Sequence, residues 1–110
     1  MSEVATTGLQ ALMSHIGSVY AFVPEKYPDL RAITGWPGRC HFAVRHTALH
    51  MAKSTALVAT QAEAADHGGK IDLDALRVAA AKQVINALNL AHVLEISAEQ
   101  LIETINEELK

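Results

Sequence analysis

His41 to His67, HFAVRHTALHMAKSTALVATQAEAADH, decides the fold. No Pro or Gly interrupts it, and Ala, Leu, Met and Lys are strong helix formers, so the stretch predicts one long helix. Gly68-Gly69 then supplies the left-handed or flexible backbone at which helices commonly stop. At about 100° per residue, Glu63 and Asp66 fall on one face, together with Ala48, Ala52, Thr55, Ala56 and Ala59. Two carboxylates ending an alanine-lined stripe can hold a divalent cation between packed helices, and they equally suit a solvated acidic turn. His46 and His50, at i and i+4, share a different face with Lys53 and Leu57. Their spacing suits a transition metal such as Zn2+, and it also suits two hydrogen-bonded surface or interface side chains.

Working outward, Thr6 or Thr7 can cap a first helix over about Gly8 to Phe22. Its apolar stripe is Leu9, Leu12, Met13, Ile16, Val19 and Tyr20. Pro24 to Gly38 holds all three prolines and reads as a loop, with a helical turn around Tyr27 to Ile33 and turn chemistry at Gly35-Trp36-Pro37-Gly38. On the other side, Asp72 or Asp74 caps a third helix over Leu73 to about Leu94. Leu73, Leu76, Ala80, Val84, Ala87, Leu88, Ala91 and Leu94 make its expected buried face, with Lys82, Gln83, Asn86 and Asn89 roughly opposite. Ser97 with Gln100 forms a capping box that opens a last helix through about Leu109. Short connections and helical periodicity throughout predict an all-α, four-helix bundle-like domain over residues 1–110. Within it, 1–39 is an N-terminal helix plus Pro/Trp loop and 40–110 is the helical core.

Half the residues are hydrophobic but only 5% are aromatic, so the core rests on Ala, Leu, Val and Ile. A chain of 110 residues buries a modest share of its surface, and self-association into a homodimer or homotetramer would bury more. The formal net charge is −3 with no Lys/Arg cluster, which argues against a nucleic-acid polymer as partner. No membrane-spanning run or signal peptide is visible, and the lone cysteine, Cys40, excludes an intrachain disulfide, so a reducing cytoplasm is the expected setting.

The order of features resembles the MazG-like, all-α nucleoside triphosphate pyrophosphohydrolases. That family's pattern runs from a Lys-bearing helix through E-x-x-E to a helix bearing E-x-x-D, then an L-G-I-D/S-x-E-x-L connection. Here Lys53 precedes Glu63-Ala64-Ala65-Asp66. Gln83-Val84-Ile85-Asn86 stands in the second position, and Glu95-Ile96-Ser97-Ala98-Glu99-Gln100-Leu101 in the third. The resemblance covers about Phe42 to Leu109 and implies a divalent-cation-dependent enzyme splitting a nucleoside triphosphate into monophosphate and pyrophosphate. By it, Glu63 and Asp66 would be catalytic. Glu63, Asp66, Gln83 and Asn86 would hold Mg2+ or Mn2+. Lys53 would meet phosphate, with Arg39 and Arg45 as lesser candidates, and Trp36 could stack on a base. His67 and His92 would be accessories. Asp66 shortens a glutamate, whereas Gln83 and Asn86 each remove a negative charge from the site. A non-catalytic relative that binds a nucleotide, another small molecule or a protein partner is therefore the alternative expectation.

Overall fold

Glu3 complements the positive N-terminal end of the first helix, α1 (Glu3–Val19), in the computed structural model, which describes residues 3–110. Helix α1 starts ahead of the expected Thr6/Thr7 cap and ends ahead of Phe22. Its last turn closes with Tyr20 N–H donating to the Ile16 carbonyl at 2.9 Å, and Pro24 disfavours helical backbone at Val23. A 3-10 turn (Pro28–Ala32) follows where a helical turn was expected.

The second helix, α2, runs Trp36–Asp66, so Gly35-Trp36-Pro37-Gly38 opens a helix rather than forming a turn. Gly35 sits at φ +82°, a conformation that favours glycine, and Pro37 lies in the first turn, where a missing N–H leaves no helical bond unmade. At the far end Gly68, at φ +84°, donates to the Ala65 carbonyl at 3.0 Å, and Gly69 donates to the Ala64 carbonyl at 2.8 Å. That bonding pattern is a Schellman stop. The chain reverses over six residues into α3 (Leu73–Val93), which Asp72 caps through its Oδ1, accepting from Ala75 N–H at 3.1 Å. Gln61 Oε1 accepts the Asp72 N–H at 2.8 Å and ties the two ends of the hairpin together. Helix α3 stops in a second Schellman motif, with Glu95 N–H bonded to His92 O and Ile96 N–H to Ala91 O. Here a non-glycine residue, Glu95, occupies the left-handed position at φ 61°. The capping box then opens α4 (Ala98–Glu108) as the sequence predicts, Gln100 N–H donating to Ser97 Oγ and Ser97 N–H to Gln100 Oε1.

All four helices pack, and no strand occurs among the described residues. Helix α3 is the shared member: it lies against α2 on one side and α1 on another, and α4 closes on α1. The core joins Met13 and Ile16 of α1 to Leu88 and Ala91 of α3 and Ala98 of α4. Gln10 reaches across to accept the Ala98 N–H at 2.9 Å. The buried face of α3 matches expectation only in part: Leu88 and Ala91 are buried as expected and Ala79 and Asn89 join them, while Leu73, Ala80, Val84 and Ala87 are exposed. Hydrophobic periodicity marks an apolar stripe, not what covers it, and α1 covers this one only at Leu88 and Ala91.

The chain is open for its mass. Its accessible surface is 7727 Å², against roughly 5,900 Å² for a compact monomer of this size. Its radius of gyration is 16.5 Å, where about 13 Å is usual. Among the described residues no helix is long and apolar enough to cross a membrane. Replacing Glu95 with Gly should relieve left-handed strain of about 1 kcal/mol, and Ser97→Ala should cost about 1 kcal/mol. Denaturant titration should show opposite midpoint shifts for the two variants.

Candidate functional site

Helices α2 and α3 run antiparallel but part along one flank, and the connection after α1 folds over the gap. The result is a half-open cavity of about 580 Å³. From the connection come Tyr20, Phe22 and Tyr27. Along α2 the wall is His46, His50, Lys53 and Leu57, the face the sequence groups together, with Thr47 and Ser54 beside them. From α3 come Lys82, Ile85, Asn86 and Asn89. The connection is pinned in two places: Lys26 Nζ donates to the Val19 carbonyl at 2.6 Å, and Asn89 Nδ2 to the Tyr20 carbonyl at 3.3 Å.

The cavity has two unlike ends. Gln83 Nε2 donates to Thr55 Oγ1 at 2.8 Å, and this bond sets the register of the antiparallel pair. In that register Lys53 and Lys82 share one end, while His46 and Asn89 lie with the aromatic residues at the other. Seven residues separate Lys53 from His46, about 10 Å along a helix. At the aromatic end, Tyr27 packs edge-on against His46 with ring centroids 4.9 Å apart, and Phe42 stacks on His46 at 5.5 Å. Phe22 lies 5.5 Å from Tyr27, and Arg45 sits over the Phe42 ring at 5.4 Å, a cation–π contact outside the cavity wall. His46 Nε2 and His50 Nε2 meet at 3.0 Å, so one carries the proton and the other accepts it. Burial, then the nearby His50, Arg45 and Lys53, hold the His46 imidazole below its ordinary value of 6.5.

Polar satisfaction is incomplete here. Asn89 is 6% exposed, and its Oδ1 is buried without a hydrogen-bond partner among the described residues. Gln83 Oε1 is the second such atom, on the α2–α3 contact rather than the cavity wall.

Of the residues expected to form a site, Lys53 and Asn86 line the cavity. Glu63 and Asp66 do not: both are exposed in the last turn of α2, where Glu63 lies 4.0 Å from His67. Gln83 turns to Thr55, and Asn86 Nδ2 to the Lys82 carbonyl at 2.9 Å. The two polar pairs therefore do not converge. Trp36 is 53% exposed at the start of α2, off the cavity wall, and His92 packs against Gly17 of α1. No group of three or more His, Cys, Asp or Glu side chains is placed to hold a metal ion among the described residues. A hard divalent cation asks for converging oxygens, and the cavity wall presents two ammonium groups and no carboxylate. The residues present do not fit Mg2+ there.

Lys82, Asn89 and the aromatics Tyr20, Phe22 and Tyr27 are site residues that sequence reasoning missed. Lys82, Asn86 and Asn89 fall at i, i+4 and i+7 on one polar face, of which the sequence reading placed only Asn86, with Gln83, at a site. No family model, curated protein or solved structure matches this chain.

The lowered His46 value fixes a sign. The unfolded chain takes up a proton near pH 6.5 that the folded chain accepts only at lower pH, so stability should fall as pH drops through 6.5 and be fully present above it. Thermal melts should show a lower Tm at pH 5.5 than at pH 7.5, by a smaller margin in His46→Gln.

Proposed function

We propose that this chain is a nucleotide-binding helical bundle, MazG-like in the order of its motifs, that holds its ligand without turning it over. The observation that carries the reading is the two-ended cavity. Lysines at one end suit phosphate, and aromatic faces about 10 Å away suit a planar base. The exposed position of Glu63 and Asp66, and the amides Gln83 and Asn86, support binding over hydrolysis. A second reading, a divalent-cation-dependent pyrophosphohydrolase, draws support from Lys53 and Asn86 standing together on that wall.

Self-association belongs to the same proposal. The apolar stripe Leu73, Ala80, Val84 and Ala87 has no cover among the described residues, and the surface excess of about 1,800 Å² exceeds the roughly 800 Å² per partner of a standard interface. A second copy laid on this face would supply the burial that one chain lacks. The buried lone thiol of Cys40 accords with a reducing, cytoplasmic setting.

Nucleoside mono-, di- and triphosphates, screened with and without Mg2+ or Mn2+, should raise Tm while releasing no pyrophosphate above a Glu63→Ala control. Glu63-dependent release would establish the enzyme instead, and no Tm shift from any nucleotide would remove the nucleotide reading. Light scattering at micromolar concentration should return at least twice the 11.8 kDa chain mass, with Val84→Glu shifting the protein toward monomer.

A further inference from the structure

We infer that the cationic end of the cavity binds a dianionic phosphate monoester directly, through Lys53 and Lys82, with no divalent cation between. The inference rests on the proposed nucleotide site but concerns only its phosphate end, and it reverses the charge logic that the family resemblance implies. Lys53 comes from α2 and Lys82 from α3, so two separate helices bring ammonium groups to one opening. Neither forms an ion pair among the described residues. The ion pairs there join Glu63 to His67, Asp74 to Arg77 and Glu107 to Lys110, all on exposed surface. No carboxylate lines the cavity, so nothing on its wall offsets the two positive charges.

Like charges facing one half-walled space repel, and the repulsion grows as surrounding water is excluded. Seating an anion turns that repulsion into attraction, whereas seating Mg2+ would add a third positive centre. The charge count also selects the ligand. Two lysines match the two negative charges that a phosphate monoester carries at neutral pH. The neighbouring His46–His50 pair adds no free Nε2–H donor, because the one that its bond requires is spent between the two rings. Asn86 lies one helical turn from Lys82 on the same wall, and its Nδ2 is already spent on the Lys82 carbonyl. The lysines therefore carry the recognition.

Calorimetric titration of the full chain with AMP and with inorganic phosphate, each in EDTA and in Mg2+, tests this. Binding of AMP should be the same in both buffers, should weaken with added salt, and should fall about tenfold or more in Lys53→Gln and in Lys82→Gln, the loss expected for one charge-assisted hydrogen bond. Lys70→Gln, off the cavity wall, should leave it unchanged, and circular dichroism melts should show all three variants folded. Binding that requires Mg2+ would overturn the inference while leaving the nucleotide reading intact. Phosphate binding in EDTA without added affinity from the nucleoside would uphold the inference and remove the nucleotide reading. Lysine variants that bind as the parent does would overturn it outright, and silence toward both ligands would sink both proposals.

Discussion

The seating of α3 is the constraint on which the rest of the molecule depends. One helix serves both halves: Leu88 and Ala91 belong to the core shared with α1 and α4, while the neighbouring Ile85, Asn86 and Asn89 wall the cavity beside α2. Its register against α2 is set by the Gln83–Thr55 bond in mid-helix and the Gln61–Asp72 bond at the turn. Rotating it by a quarter turn would take Lys82 away from Lys53 and Leu88 away from Met13 and Ile16. Core and cavity are thus two readings of a single rotation.

The position of that rotation explains what was legible. Helix number and the capped termini of α2, α3 and α4 were readable because caps are local. Ser97 with Gln100, Asp72, and Gly68-Gly69 each act within a few residues of themselves and do so here as expected. Gly35-Trp36-Pro37-Gly38 was misread because Gly-Pro chemistry serves a helix start as well as a turn, and only the seating of Gly38 against Ile33 distinguishes them. A Cβ there would lie 2.5 Å from Ile33 Cγ2.

The candidate site was legible in part for the same reason. His46, His50, Lys53 and Leu57 form one face by arithmetic alone, and all four reach the cavity. Which face of α3 opposed them was not arithmetic. The apolar stripe found its cover against α1 only at Leu88 and Ala91, while Leu73, Ala80, Val84 and Ala87 stay exposed and the polar Lys82, Asn86 and Asn89 line the cavity. Glu63 and Asp66 drew notice as a pair, yet they sit beside the α2–α3 turn, beyond the residues that α3 and the connection enclose.

The connection carrying Tyr20, Phe22 and Tyr27 has one further consequence. It contributes rings to the cavity and only one short 3-10 turn, and two of its anchors are a lysine and an amide bonded to backbone carbonyls. Each residue of such a segment gives up about 1–2 kcal/mol of backbone freedom when it is fixed. That cost is already met in the structure, where Phe22 packs on Phe42 and Tyr27 on His46. Lys26, which is not on the cavity wall, thus shapes the cavity as a tether rather than as a lining residue.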